Sequence, residues 1–386
     1  MPLIMIDGLS IITQLSKSEL AGRTVLVRLD LNVPMTSAQV SDYFRIKKIL
    51  PTIDWLRSAG AKILLLSHRG RDGELSLRPV AKYLNRIFTV TFCPTIEAAE
   101  SALRPAAPGT VLLLENLRRE TGEITNDPVF ADRLARLGDI FVNEAFASSH
   151  REHASIVGLP RRLPAYIGFV FAEELKNLSR VLKPQHPFTV ILGGAKFETK
   201  LPAVRKFIDL ADKIFIYGAL THAFFKELGY ELGQSLVDRD TTLARPFLRH
   251  PKIVLPVDVR VKNGDRVFIK RPDQLRSDDN ILDVGLVSIE KLLPAIAESS
   301  FILWNGPLGN FERGFRGSTE AVAKLIAGSN ATTIVGGGDT VAAIRALNIL
   351  DQFDFVSTGG GAMLDFLAYG TLPGLEALKE SPSFRA

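Results

Sequence analysis

The sequence is poor in cysteine and has no long apolar run. Its 386 residues include a single cysteine, Cys93, which excludes an internal disulfide framework and a zinc site built from several cysteines. No apolar stretch approaches the roughly 20 residues that a membrane-spanning helix needs. The N-terminal stretch MPLIMIDGLSIITQL lacks the basic flank of a signal peptide. We therefore expect a cytoplasmic protein that does not bind membranes.

Two common nucleotide-binding motifs are also missing. The chain contains neither a G-x-x-x-x-G-K-[ST] loop nor a G-x-G-x-x-G fingerprint. This excludes a standard P-loop site and counts against a two-domain dehydrogenase. Charge is nearly balanced, since 47 Lys and Arg against 42 Asp and Glu give a net charge of +5. That excess permits an anionic ligand. A basic surface for nucleic acid is a weaker alternative, and we expect no nucleic-acid partner.

Short apolar runs alternate with helical patterns along the chain. Ten runs are predicted strands: 25–31, 62–67, 111–115, 139–143, 188–193, 213–218, 252–257, 301–304, 332–335 and 353–357. Such alternation is typical of parallel sheets covered by helices on both faces. Because this number exceeds one comfortable open sheet, we predict an α/β fold with two Rossmann-like domains that contain parallel sheets, joined by a helix and a hinge.

The boundary between the predicted domains is a connecting helix. Apolar residues recur at helical spacing over residues 171–185. The helical pattern itself ends before Pro184. We therefore predict an N-terminal domain over 1–170 and a C-terminal domain over 186–370.

Charged residues gather where the predicted strands of the first half end, which is where open α/β sheets bind ligands. Period-two alternation predicts that Arg28, Asp30 and Asn32 share one face of the first strand. The residues after this strand and the ends of the others add Arg45, His68, Arg71, Arg118, His150, Arg151 and His153. Because the planar fork of arginine suits carboxylate and phosphate, we predict a pocket for a small, multiply charged anion. Scattered surface arginines are the alternative.

The strand ends of the second half are rich in glycine. Four clusters follow strands: GGAKFETK (193–200), WNGPLGNFE (304–312), GGGDT (336–340) and TGGGA (358–362). Glycines let backbone N–H groups approach a ligand, and helix N-termini attract phosphate, although any single cluster is equally explained by a tight turn. Asp339 is a plausible Mg²⁺ ligand, and Lys196 and Lys200 are placed to bring charge to phosphates. The two halves together predict a kinase for a small acidic metabolite.

The sequence resembles phosphoglycerate kinases along nearly its whole length, in the ordered motifs VLVRLDLNVPM, SHRGR, LLENLR, FVNEAFASSHREHAS, VILGGAKFETK, WNGPLGNFE, IVGGGDT and VSTGGGA. The resemblance implies reversible, Mg²⁺-dependent transfer of the acyl phosphate of 1,3-bisphosphoglycerate to ADP, which gives 3-phosphoglycerate and ATP. It implies a monomer with a phosphoglycerate-binding N-terminal domain and a nucleotide-binding C-terminal domain. It also implies a segment over 371–386 that returns to the N-terminal domain, and hinge closure before direct transfer.

The resemblance also assigns residues. It implies phosphoglycerate binding by Arg28, Asp30, Asn32, Arg45, His68, Arg71, Arg118, His150, Arg151 and His153. It implies nucleotide binding by Lys196, Lys200, Glu312, Gly336, Gly337, Gly338, Asp339 and Thr340, with Glu312 near the ribose and Asp339 at the magnesium. Arg45 and Lys196 are the implied catalytic cations, which clamp the transferring group with help from the amides of Gly338, Gly359 and Gly360.

Several positions depart from the family pattern. Arg69 stands in SHRGR where an apolar residue is common, Leu286 stands in place of a proline, and Gln234 stands in place of a lysine. These departures keep open the alternative of a catalytically weakened relative with a binding role. The three histidines outside the motifs, His186, His222 and His250, are predicted to be structural or solvated.

Overall fold

Each half of the chain builds its own parallel sheet from apolar strands that alternate with helices. A computed structural model describes residues 9–37 and 39–384. The described residues up to Lys176, with those from Thr371 onward, form one unit, and Asn177–Gly370 form the other. None of the described helices is long and apolar enough to cross a membrane. The α/β architecture with two parallel sheets is as predicted, whereas the functional labels of the two domains stay predictions.

The first unit contains a six-stranded parallel sheet in the order β5-β6-β4-β1-β7-β8. Strands β2 and β3 form a separate two-stranded hairpin. The strands of this unit are β1 (Thr24–Arg28), β2 (Met35–Thr36), β3 (Gln39–Val40), β4 (Lys62–Leu66), β5 (Thr91–Cys93), β6 (Val111–Leu114), β7 (Ile140–Asn143) and β8 (Ala165–Ile167). The helices begun in this unit are α1 (Lys17–Leu20), α2 (Phe44–Ser58), α3 (Arg78–Leu84), α4 (Ile96–Leu103), α5 (Thr121–Ile124), α6 (Pro128–Ala135) and α7 (Phe169–Val181). All residues of β6 and β7 are buried, as expected for strands covered on both faces.

The second unit repeats this plan in the order β11-β10-β9-β15-β16-β17 and adds an antiparallel sheet, β13-β12-β14. Its strands are β9 (Phe188–Leu192), β10 (Lys213–Ile216), β11 (Ile253–Val254), β12 (Val259–Asn263), β13 (Arg266–Lys270), β14 (Asn280–Val284), β15 (Phe301–Asn305), β16 (Thr332–Gly336) and β17 (Phe355–Val356). Its helices are α8 (Leu201–Leu210), α9 (Leu220–Glu227), α10 (Leu286–Glu290), α11 (Leu293–Glu298), α12 (Gly317–Ala327), α13 (Gly338–Ala346) and α14 (Gly360–Tyr369). The antiparallel sheet was not predicted.

The C-terminal residues belong to the first unit. Helix α15 (Pro373–Lys379) follows Thr371, and the Gly374 amide donates to the Ser149 carbonyl at 2.9 Å. A little further on, the Ala165 amide of β8 donates to Ser381 Oγ at 2.9 Å. The last two residues of the predicted segment 371–386 lie outside the described residues.

The strand predicted over 25–31 is shorter than expected, because β1 ends at Arg28. The neighbouring β4 and β7 end at Leu66 and Asn143, so no strand continues beside the chain beyond that point. The Leu31 amide donates instead to the Ser67 hydroxyl at 2.9 Å. Asp30 and Asn32 therefore lie in the loop after the strand rather than on its face.

The connecting helix predicted over 171–185 also has different bounds, since α7 covers Phe169–Val181. It begins earlier because the buried carboxylate of Glu144 accepts hydrogen bonds from the amides of Val170 at 3.1 Å and Phe171 at 3.2 Å. It ends earlier because the amides of Leu182 and Lys183 bond three residues back, which tightens the chain into a turn before Pro184.

Candidate functional site

Arg28 is the most deeply buried cation of the first unit. Its side chain is fully buried, and each of its three guanidinium nitrogens has an internal acceptor. Nε donates to Ser155 Oγ at 2.8 Å, one terminal nitrogen donates to the Leu29 carbonyl, and the other lies 3.0 Å from His68 Nδ1. Arg28 therefore organises the ends of β1 and β4, and its predicted contact with substrate stays a prediction.

A second buried group balances this charge. Ser155, in the π-helical turn Ala154–Gly158, donates its hydroxyl to Glu123 Oε1 at 2.6 Å and its amide to Oε2 at 2.9 Å. The Glu123 side chain is fully buried. Arg28, Ser155 and Glu123 thus form a chain in which a buried cation and a buried anion are linked through a hydroxyl, as buried charges require.

Asp30 holds Arg45 in place. The guanidinium of Arg45, in the first turn of α2, donates to Asp30 Oδ2 at 2.9 Å and to the Asn32 carbonyl at 3.1 Å. Asp30 also accepts from the Asn32 amide at 3.1 Å, and Asn32 Oδ1 accepts from the Gly70 amide at 3.1 Å. These bonds bring Asp30, Asn32 and Arg45 together at the carboxyl end of the sheet.

Three histidines of this cluster are uncharged at neutral pH. Burial, and then the positive charge of Arg28, lowers the pKa of His68 far below its ordinary value. Burial, reinforced by nearby arginines, lowers the pKa of both His150 and His153 to about 4. Because Arg28 donates to His68 Nδ1, the hydrogen of neutral His68 resides on Nε2, which is a donor. The site therefore combines permanent arginine charge with neutral imidazoles.

Buried polar atoms in this cluster lack hydrogen-bond partners among the described residues. They are Arg118 Nε, His150 Nδ1 and His153 Nδ1. An unsatisfied buried donor or acceptor costs free energy, so such atoms at strand ends indicate a place for a polar ligand. Arg71 and Arg151 complete the predicted set as exposed residues, and within the described part of the chain neither side chain has a hydrogen bond or ion pair. The structure thus places all ten predicted residues in or beside the strand-end loops of this unit.

The glycine clusters of the second unit pack backbone against backbone. A Cβ atom added to Gly193 would lie 2.1 Å from the Pro307 carbonyl oxygen, and one added to Gly360 would lie 2.6 Å from Gly337 Cα. Gly337 also has a φ of 105°, which favours glycine. The loops after β9, β15, β16 and β17 therefore meet in one collar, which we call the glycine collar (residues 193–194, 306–307, 337–338 and 359–360).

Two helices begin at the glycine collar. Helix α13 begins at Gly338 and α14 at Gly360, and first-turn amides have no partner within their own helix. The amide of Gly359, also predicted to assist transfer, donates to Ser357 Oγ at 3.2 Å. Gly338 and Gly360 therefore have the better placement for an anionic ligand, and Thr340 Oγ1 is buried beside them without a partner among the described residues.

Lys200 closes the inner side of the collar. Its Nζ donates to the Gly193 carbonyl at 2.6 Å and to Asn305 Oδ1 at 2.8 Å, so it joins the ends of β9 and β15. Burial lowers the pKa of Lys200 to about 7. Lys196, four residues earlier, is exposed, and its ammonium has no partner among the residues that the structure describes.

A cavity of ≈ 520 Å³ opens beside the collar within the second unit. Its lining includes Gly194, Gly218 and Pro307 together with Glu312 and Asp339. Burial, and then the negative charge of Glu312, raises the pKa of Asp339 above its ordinary value. This volume and its mixed apolar and charged lining suit a nucleotide-sized ligand.

Comparisons with known proteins identify the family of this chain. The family profile described as phosphoglycerate kinase matches residues 15–369. The chain is 44% identical over 381 residues to the phosphoglycerate kinase of Thermus thermophilus, covering 93% of this chain and 97% of that protein. The chain belongs to the phosphoglycerate kinase family. It is also 41% identical over 385 residues to the enzyme of Thermosipho africanus, covering 93% of this chain and 96% of that protein.

Solved phosphoglycerate kinases have the same fold. The structure from Coxiella burnetii aligns with a TM-score of 0.80 and 35% identity, over 96% of this chain and 99% of that chain. The structure from Pyrococcus horikoshii aligns with a TM-score of 0.85 and 29% identity, over 97% of this chain and 100% of that chain. The fold, the family and the enzyme class inferred from the motifs are thereby confirmed.

Sequence reasoning missed several residues that shape the candidate site. Glu123 and Ser155 brace Arg28, and Asn305 holds both Lys200 and the Gly360 carbonyl, to which its Nδ2 donates at 3.3 Å. Asn305 could have been found, because it lies inside the WNGPLGNFE motif. Glu123 could not, because a TGE turn in the sequence looks solvent-exposed.

Proposed function

We propose that this chain catalyses the reversible, Mg²⁺-dependent transfer of the acyl phosphate of 1,3-bisphosphoglycerate to ADP, giving 3-phosphoglycerate and ATP. The observation that carries the proposal is the position of unpaired buried polar atoms at strand ends in both units: Arg118 Nε and His150 Nδ1 in the first, and Thr340 Oγ1 in the second. The same atoms lie in motifs that the family shares. We also propose a cytoplasmic location.

The first unit is proposed to bind the phosphoglycerate. Arg118, His150 and His153 offer buried polar atoms, while Arg71 and Arg151 offer exposed guanidinium groups that can fold onto a phosphate. Asp30 and Asn32 lie beside Arg45 and can accept from and donate to a substrate hydroxyl. Arg45 would face the transferring group, where a fixed cation stabilises the developing negative charge.

The second unit is proposed to bind the nucleotide, with its phosphates at the glycine collar and Glu312 near the ribose. Among the described residues, no group of three or more His, Cys, Asp or Glu could hold a metal ion. Asp339 nonetheless fits Mg²⁺ that arrives with the nucleotide, because such ions take one or two carboxylates plus phosphate oxygens. When bound, Mg²⁺ supplies charge neutralisation on the phosphates, and no general base is needed since a phosphate oxygen of ADP attacks directly.

The direct test is ATP consumption in the presence of 3-phosphoglycerate and Mg²⁺, coupled to reduction of the acyl phosphate. We expect turnover that stops when 3-phosphoglycerate is omitted. Absence of turnover in purified, folded protein would refute the proposed activity.

Lys200 should take up a proton when nucleotide binds. Its pKa of about 7 leaves it largely neutral at pH 8, and an adjacent phosphate favours the charged form, so the pKa rises on binding. Calorimetric titration with MgADP at pH 8, in two buffers of different ionisation enthalpy, measures this uptake as a fraction of one proton. Lys200→Met should abolish it, whereas Lys213→Met, at the opposite end of the sheet, should not. Equal binding enthalpies in both buffers for the unmodified chain would contradict the prediction.

A further inference from the structure

The antiparallel sheet of the second unit has an open apolar edge. Strand β13 lies at one end of the order β13-β12-β14. Its three central residues, Val267, Phe268 and Ile269, are 49%, 41% and 55% exposed. Natural edge strands are mostly kept short, charged or covered, because unpaired strand edges bind other strands. Among the described residues, none from β13 lines the ≈ 520 Å³ cavity, so the proposed activity does not explain this edge.

The turn before β13 determines which of its backbone groups face outward. Two residues join β12 to β13, and Asn263 and Arg266 pair across the turn. The carbonyl of the first residue of such a turn accepts from the amide of the fourth, so this is a hydrogen-bonded pair. Such pairs alternate along an antiparallel ladder, and Phe268 is the next residue that bonds to β12. The amides and carbonyls of Val267 and Ile269 therefore point away from the sheet, where no described strand pairs with them.

The side chains of Val267 and Ile269 share a solvent-exposed face with positive charge. Opposite residues of an antiparallel pair lie on the same face, and the residues opposite them on β12 are Lys262 and Arg260. Both cations are exposed, whereas Val261 between them points to the other face and is fully buried. A strand added at this edge would therefore lie beside two apolar side chains, with two cations one strand further in.

The hairpin carries more positive than negative charge. Residues 260–271, RVKNGDRVFIKR, include five lysines or arginines and one aspartate. Lys270 and Arg271 each form an ion pair with an aspartate at 2.7 Å. The exposed side chains of Lys262 and Arg266 form no hydrogen bond or ion pair in the described part of the chain. Opposite charge at an interface selects partners more than it adds affinity, so these two cations favour an acidic strand.

A second copy of this chain is the poorer occupant of the edge. The antiparallel register that pairs all three apolar residues of two β13 strands is centred on Phe268. It places Arg266 of each copy opposite Lys270 of the other, and like charges directly opposite destabilise a sheet. The same charges that repel a second β13 strand attract an acidic one.

We propose that β13 is a docking edge for an extended acidic segment of a partner protein, which adds to the antiparallel sheet as a fourth strand. The outward amides and carbonyls of Val267 and Ile269 supply the main-chain hydrogen bonds of such an addition, and their side chains contact the apolar residues of the segment. Lys262 and Arg266 select acidic residues over basic ones. The proposal is independent of the proposed function, because no residue of the candidate site takes part in it.

The test measures the binding of two fluorescein-labelled peptides, EVEVEVE and KVKVKVK, to the full chain by fluorescence anisotropy. Saturating MgADP and 3-phosphoglycerate are present, so that the candidate site is occupied. EVEVEVE should bind more tightly than KVKVKVK by about tenfold or more. Ile269→Pro removes an outward amide that makes no ladder bond and should weaken EVEVEVE binding by about tenfold. Lys262→Glu combined with Arg266→Glu should reverse the preference. The control Val129→Thr, at an exposed apolar residue of the first unit, should bind both peptides as the unmodified chain does.

The outcomes test the edge and the charge of its partner separately. Failure of EVEVEVE to bind the unmodified chain at millimolar concentration, or unchanged binding in Ile269→Pro, would overturn the docking edge. A preference that the double variant does not reverse would overturn the choice of an acidic partner. A dimer in sedimentation equilibrium that Ile269→Pro abolishes would identify a second copy as the occupant and would also overturn the proposal. Thermal unfolding shows whether each variant is folded, and the double variant, which changes only exposed side chains, decides the test if Ile269→Pro does not fold.

Discussion

Arg45→Ala should lower kcat by about 10²-fold or more, with a smaller change in the KM for 3-phosphoglycerate. Asp30 and the Asn32 carbonyl fix the guanidinium through bonds of 2.9 and 3.1 Å, and the Arg45 side chain remains 29% exposed. A cation that is held in place yet accessible needs no reorganisation when charge develops on the transferring group. The loss should therefore fall on the chemical step, and steady-state kinetics in the coupled assay measures it.

Two variants sharpen this prediction. Arg45→Lys keeps the charge but lacks the guanidinium whose Nη1 donates both to Asp30 Oδ2 and to the Asn32 carbonyl, so an intermediate loss is expected. Arg86→Ala removes an exposed arginine outside the cluster and should leave kcat unchanged. A loss in Arg45→Ala that is confined to KM would show that Arg45 contributes only to binding, and would contradict its catalytic role.

The sheets were predictable because their strands are buried on both faces. Runs such as 62–67 and 188–193 are mostly apolar, and the structure places β4 and β9 within them. The antiparallel sheet was not predicted because apolar and polar residues do not alternate along β13. Its three consecutive apolar residues, Val267, Phe268 and Ile269, are all partly exposed. The first strand was predicted to be too long because the neighbouring strands β4 and β7 end beside Arg28. The sequence of one strand does not show where its neighbours end.

The positions of the site residues were easier to predict than their burial and their protonation. Motif positions identified Arg28 and His68, but Arg28 finds its partners 127 and 40 positions away, at Ser155 and His68. Only the folded chain shows that Arg28 is buried and that His68 is neutral, because desolvation depends on tertiary packing.

Two departures from the family pattern have local explanations. Arg69 donates to the Ser76 carbonyl at 3.0 Å, so it braces its own loop. Leu286 occupies the first position of α10, where proline is favoured. The Asp258 carboxylate accepts from the amides of Val287 at 3.1 Å and Ser288 at 2.8 Å, which fixes the start of the helix without proline.

Lys196 is the second cation whose removal should strongly lower kcat. The loop that carries it is anchored on both sides. The next residue, Phe197, is fully buried and packs edge-on against Phe224, with ring centroids 5.0 Å apart. The Phe197 amide donates to Asp238 Oδ2 at 2.8 Å. The backbone at Lys196 is thus anchored on one side by an aromatic cluster and on the other by the glycine collar, while its ammonium stays exposed.

Lys196→Met should therefore lower kcat by about 10²-fold or more while MgADP still binds. Methionine keeps the length and apolar stem of lysine, and the anchoring by Phe197 and Asp238 does not involve the ammonium, so the fold should be unchanged. Steady-state kinetics and calorimetric MgADP binding separate the two effects. Lys213→Met, which removes an exposed lysine at the start of β10, is the matched control and should retain full activity. If MgADP affinity fell in proportion to kcat/KM while kcat held, Lys196 would be a nucleotide-binding residue only. A selective loss of kcat would instead assign the ammonium to the transferring group, because the ammonium, with its charge and its N–H donors, is the polar group that the substitution removes.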